Sequence, residues 1–257
     1  MHDADETEQP FEDGNITAVV RVGDTVRRAT GPWTPAIHAL LRHLEARGFD
    51  AAPRALGRDQ AGREILSYLP GSTAPASLQG IESDAVLAAV ARLTRRYHDA
   101  VADFVAPANA AWQFTVGAPR AGDLICHNDI APWNIVFEQS HPRALIDWDF
   151  AAPAPRTWDI AYALWRCVPL YDQPEFGGPN AQARRIKLFC DTYGLNDRRG
   201  LLDTIERRQQ VLHDTLVAWG QAGVPGFAEM LRDGHAEGIR NDIVYLRAIR
   251  PALEAQC

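Results

Sequence analysis

The sequence predicts an α+β protein in two unequal parts: a small β-rich unit over residues 15–69 and a larger, mostly helical part over 70–257, with an acidic flexible tail over 1–14. Three observations carry this. Short runs rich in Val, Ile and Leu crowd ahead of Pro70-Gly71, each bounded by Gly or Asp turn signals. After residue 83, apolar residues recur at helical spacing in several long segments. Between those helices, residues 124–160 set Asp129, Asn134 and Asp147 at the ends of apolar runs, where a strand scaffold aims side chains into a cleft.

Taken in order, Val19, Val20 and Val22 precede Gly23-Asp24, and Thr25 and Val26 follow it, which reads as a hairpin over 15–28. Upstream, Glu12-Asp13-Gly14-Asn15 is a second tight turn and a weak phosphate-loop signal, since it is no G-x-G-x-x-G. Thr34-Pro35 opens a helix with Ile37, Leu40, Leu41 and Leu44 on one face and Gly48 as its stop. Residues 53–56 and 63–69 are two further strands, and Pro70-Gly71 ends the unit. Residues 84–104 form a long helix capped by Ser83 or Asp84, with Val86, Val90, Leu93, Tyr97 and Val101 on one face. Residues 124–159 read as strand, loop, strand, turn, strand, and helices follow over 160–167, 181–193, 201–222 and 238–255.

The composition excludes several classes of function. A formal net charge of −7 makes nucleic acid an unexpected partner. No apolar run of membrane-spanning length exists and the acidic start is no signal peptide, so the expected location is cytoplasmic. The cysteines Cys126, Cys167, Cys190 and Cys257 form no CxxC, which fits a reducing compartment; Cys126 reads as core and Cys257 as exposed. Lys187 is the sole lysine, so any cation needed beside a phosphate before it must be Arg or His.

The chemistry lies in His127-Asn128-Asp129-Ile130-Ala131-Pro132-Trp133-Asn134. An Asp-x-x-x-x-Asn followed by an acid at a strand end, here Asp147, supplies what phosphoryl transfer needs. Asp129 suits the base that accepts a hydroxyl proton, while the Asn134 amide oxygen and the Asp147 carboxylate suit Mg²⁺, a hard cation that takes oxygen donors. Trp133, Trp148 and Trp158 read as packing residues.

This block resembles the aminoglycoside phosphotransferase/choline kinase group of small-molecule kinases. The pattern of that group is matched by His127, Asp129, Asn134, Ile146-Asp147-Trp148 and Asp159-Ile160-Ala161, and the order of elements agrees over nearly the whole chain. The resemblance implies a bilobal protein-kinase-like fold, ATP or GTP as co-substrate, Mg²⁺, and a small hydroxylated acceptor. His127 and Asp159 would orient the loop, and Leu66, Ser67 and Tyr68 would hold the nucleotide base through their backbone. Asp149 is left open between a metal helper and a turn residue.

The N-terminal unit departs from the pattern of the group. Its basic residue on the strand after the first turn falls at Arg27, with Arg28 as the substitute. The helix Glu that should hold it is missing: His38 aligns there, and Glu45 lies two turns later. A catalytically impaired pseudokinase and an unrelated helical binding protein therefore stay as rivals. So do an aminoglycoside, another hydroxylated antibiotic and a metabolic alcohol of the choline type as acceptors, and a monomer or a homodimer as the assembly. The acids Asp172, Glu175, Asp203, Glu206 and Asp214, and the aromatics Trp165, Tyr171, Trp219 and Tyr245, are what the acceptor side offers.

Overall fold

A computed structural model describes residues 8–10, 19–73, 83–113 and 124–256. The chain begins with β1 (Gln9–Pro10), β2 (Val19–Val22) and β3 (Thr25–Arg28), then α1 (Thr34–Ala46), β4 (Ala55–Arg58) and β5 (Glu64–Ser67). These strands form one five-stranded antiparallel sheet in the order β1-β2-β3-β5-β4. The Gly23-Asp24 hairpin is present, with Gly23 at φ 58°, as a two-residue turn demands. Residues 9–10, read as tail, instead form the edge strand β1, where a proline is tolerated because the outer side needs no ladder bond. The Glu12–Asn15 turn and Cys257 lie outside the described residues.

The helix α1 starts at the expected place, with Thr34 as its first residue, and the Thr34 hydroxyl accepts from the Gly31 amide at 2.9 Å. The expected stripe is buried, with Ile37, Leu40, Leu41 and Leu44 each at most 1% exposed. Sheet membership changes just after β5. The next strand, β6 (Ser72–Thr73), pairs with β8 (Ile135–Glu138), which pairs with β9 (His141–Leu145). Gly71 makes this step, at φ +140° with its α-carbon pressed toward the Phe137 carbonyl.

The larger part opens with α2 (Asp84–Ala100), whose Ser83 accepts the Ala85 amide at 3.2 Å as an N-cap. It continues through β7 (Leu124–Cys126) and β10 (Ala152–Ala154), a two-stranded antiparallel pair. Five helices follow: α3 (Arg156–Cys167), α4 (Pro179–Tyr193), α5 (Leu201–Gln221), α6 (Phe227–Arg232) and α7 (His235–Glu254). Short α6 has no counterpart in the sequence reading, because six residues are too few to show a periodicity. Cys126, Cys167 and Cys190 are buried thiols without a disulfide. Among the described residues no helix is long and apolar enough to cross a membrane.

Candidate active site

The site gathers at the ends of β3, β7 and β9, where backbone pairing brings distant residues together. β7 delivers His127, Asn128 and Asp129, while β8 and β9 bring Asn134 to the next strand. Ile135 pairs with Leu145, and one step on the Ile146 amide donates to the Asn134 carbonyl at 3.0 Å, so Asp147 emerges beside Asn134.

The loop is fixed from beneath. His127 is fully buried; its Nε2–H donates to the Ile146 carbonyl at 3.0 Å and its Nδ1 accepts the Asp129 amide at 3.3 Å, which selects one neutral tautomer. Asp159, on the first turn of α3, accepts the amides of His127 and Asn128, both at 2.9 Å, and faces His98 Nε2 at 3.1 Å. Burial works to raise its carboxyl, but the bonds from His98 and the His127 amide outweigh it and hold Asp159 below the ordinary carboxylate value. From the opposite side Arg208 donates to the Asn128 carbonyl at 2.6 Å. Asn128 is left-handed at φ 65°, a conformation asparagine adopts more readily than most residues, and its N–H and C=O are both tied down, to Asp159 and Arg208. Asp147 is left-handed as well, at φ 60°.

Asn134 donates through Nδ2 to the Asp129 carboxylate at 2.7 Å and to its carbonyl at 3.0 Å. With the nitrogen so committed, the amide oxygen is the atom left for a cation. The Asp129 carboxyl is raised above its usual range, first by burial and then by the charge of Asp147, against a hydrogen bond from Tyr162. Asp147, Asp149 and Asn134 make an all-oxygen donor set, which fits a hard divalent cation better than zinc or another soft metal. A second cluster, His98, Cys126 and Asp159, is buried in the core. Its carboxylate is already committed to His98 and two amides, so it reads as scaffold.

The cation that meets this set is Arg28 rather than Arg27. Successive strand residues point to opposite faces. Arg28 lies opposite Glu64 across β3 and β5, whereas Arg27 lies opposite Ile65. Buried Arg28 bonds Glu64, and it donates to Asp147 at 3.0 Å and Asp149 at 2.6 Å. Burial opposes its charge, but Asp149, Asp147 and Glu64 outweigh it and hold the guanidinium above its ordinary pKa. Arg27 turns instead to Thr25 and Asp59. Burial pushes the Asp149 carboxyl up to about 6, against the pull of Arg28.

Arg28 is held not by a helix Glu but by an acid of β5. His38 of α1 reaches Glu64 at 2.8 Å, so the carboxylate comes from β5 and the helix supplies its partner. Glu45 plays no part here: it is exposed and pairs with Arg54 at 3.2 Å. Leu66, Ser67 and Tyr68 lie at the end of β5, but the Ser67 amide donates to Arg54 and the Tyr68 amide to Asp24. Glu64, Tyr162 and Arg208 went unnoticed in the sequence. Glu64 alone left a signal, as an acid on the inward face of an apolar strand.

Comparison with known proteins places this geometry. The phosphotransferase enzyme family matches residues 118–194. The trifolitoxin immunity protein of Rhizobium leguminosarum bv. trifolii is 36% identical over 203 residues, covering 75% of this chain and 77% of that protein. Among solved structures, amicoumacin kinase hAmiN in complex with AMP-PNP, Ca²⁺ and Ami superposes with TM-score 0.69 at 14% identity, over 96% of this chain and 90% of that one. A choline/ethanolamine kinase family protein from Mesorhizobium loti gives 0.59 at 14% identity, over 95% and 94%. Wild-type aminoglycoside 2'-phosphotransferase-IIIa in its GDP complex gives 0.56 at 13% identity, over 95% and 92%. At these identities the structural likeness is one of fold.

Proposed function

The chain belongs to the phosphotransferase enzyme family, and from that premise we propose that it moves the γ-phosphoryl group of a nucleoside triphosphate onto a hydroxyl of a small antimicrobial compound. The observation that carries this reading is the Asp129 carboxylate, held by Asn134 at 2.7 Å on a loop fixed from both faces, beside the acids Asp147 and Asp149.

In this reading Asp129 accepts the proton of the acceptor hydroxyl as the new O–P bond forms and the bond to the departing nucleoside diphosphate breaks. Arg28 contacts the nucleotide phosphates, and Glu64 with His38 fixes its position. Asn134 and Asp147, with Asp149 beside them, would hold Mg²⁺, which when bound would supply neutralisation of charge on the phosphates. His127 and Asp159 orient the loop and touch no reactant. The carbonyls of residues 66–68 and the Leu69 amide serve the nucleotide base, since the Ser67 and Tyr68 amides are engaged within the lobe. The immunity relative favours an antimicrobial acceptor over a metabolic alcohol.

The test is nucleoside diphosphate release from MgATP and MgGTP across antibiotics and amino alcohols. Asp129→Ala should bind nucleotide normally and lose turnover by a factor of about 10² or more. Asp147→Ala should instead weaken Mg-dependent nucleotide binding. Wild-type-like turnover in the first variant would remove Asp129 from its role.

A further inference from the structure

On α3, Asp159, Tyr162 and Arg166 follow at three- and four-residue intervals and share one face. Asp159 turns inward to the loop. Tyr162, buried, hydrogen-bonds the Asp129 carboxylate. Arg166 bonds the Tyr162 phenol in turn, and donates to the Tyr171 hydroxyl at 3.1 Å. Its guanidinium carbon lies over the Trp165 ring, 3.5 Å from the centroid, and 5.5 Å from that of Trp133 in the loop of Asp129. An aromatic-walled cation thus stands one side chain away from the base.

This cation has no ion pair in contact with it; the charge it feels from Asp242 acts at longer range. Among the described residues no carboxylate lies within ion-pairing distance of Arg166, and its buried Nε–H has no hydrogen-bond partner. Asp242 accepts from Trp165 Nε1 at 3.0 Å, and burial pushes its carboxyl up to about 6 against the pull of the Arg166 charge. A polycation or a quaternary ammonium entering here meets a positive charge. A planar carboxylate meets a guanidinium already oriented by stacking.

Resting on the phosphotransferase reading, we infer that Arg166 is the anion-binding residue of the acceptor site, and that the acceptor carries a carboxylate near the hydroxyl that is phosphorylated. Trp165 and Tyr171 hold the guanidinium in place, and the phenol of Tyr162 separates the carboxylate subsite from Asp129.

The test uses hydroxylated dipeptides ending in serine or threonine, each as the free carboxylate and as the C-terminal amide, together with an aminoglycoside and choline. Turnover is read by nucleoside diphosphate release and binding by thermal shift. The expected result is that carboxylate forms shift the melting temperature or turn over, and their amides do so at least about tenfold more weakly, the scale of one charge-assisted hydrogen bond. Arg166→Gln should raise the acceptor KM by a similar factor, and Arg166→Lys, which keeps the charge, should recover part of it. Equal response to carboxylate and amide, no response to either, or preference for the aminoglycoside or choline overturns the inference. So does a loss in kcat alone, which would make Arg166 a holder of Tyr162. Nucleotide binding and Asp129→Ala are read separately: their failure strikes the phosphotransferase reading, and a carboxylate-dependent shift would survive it.

Discussion

Arg27 and Arg28 are neighbours with the same chemistry, and strand alternation alone gives them different surroundings. Arg28 should therefore be the sensitive one. Arg28→Gln is expected to raise the nucleotide KM by about tenfold or more, the loss of a charge-assisted contact, while Arg27→Gln stays within about twofold because it removes only a partly exposed pairing. Equal effects would mean that the sheet register is not the one described. Asp159 offers a different test, one of stability. Asp159→Asn leaves His98 and two amides facing an amide group, and should cost about 3 kcal/mol. For a chain of this size that is a fall in Tm of about 6–12 °C. The folded-state pKa of Asp159 is depressed, so its contribution is present above the unfolded value and lost as pH falls through the folded one. The gap between wild type and variant should stay constant from neutral pH downward and narrow only below about pH 4.

Gly71 is where the chain leaves one sheet for another. A Cβ there would meet the Phe137 carbonyl oxygen at 2.5 Å and Val136 Cγ1 at 2.6 Å, at φ +140°. Gly71→Ala should destabilise by about 1–3 kcal/mol, read as a lower urea midpoint at unchanged slope. The elements themselves were legible wherever a local signal was strong. The Gly23-Asp24 turn, the Ile37/Leu40/Leu41/Leu44 stripe and the Ser83 cap each act within a few residues, so sequence alone reveals them. Asp129, Asn134 and Asp147 were legible for another reason: their spacing is set by one loop and one hairpin. Choosing between Arg27 and Arg28 needed the register of β3 against β5, which involves residues 36 positions apart. Finding that Glu64 bonds Arg28 and is met by His38 needed that register and the placement of α1. Arg208 could not be found from the sequence, because it acts on the Asn128 carbonyl from 80 residues downstream.

At the scale of the whole molecule, we take the change of sheet at 68–71 as the boundary between two lobes. Polar links cross it at two places: around α1 and the chain after it, where His43 and Arg47 meet Asp103, Asp50 pairs with Arg96 and Arg143, and the Leu145 amide donates to the Ala51 carbonyl at 2.9 Å; and in the site, where Arg28 of the first lobe grips Asp147 and Asp149 of the second. A saturating Mg-nucleotide that bridges the lobes should raise Tm, by about 2.7 kcal/mol of added stability at a hundredfold excess over its Kd. On the proposed reading, Arg28 would also set how charges are exchanged. When a triphosphate claims the guanidinium, Asp147 and Asp149 lose their counter-ion beside an incoming anion, and a divalent cation is the group that restores neutrality. Nucleotide and metal would then be thermodynamically linked through one side chain, each tightening the other by the same factor. Titrations of nucleotide at increasing Mg²⁺, and of Mg²⁺ at increasing nucleotide, should return equal coupling factors, and Arg28→Gln should shrink both.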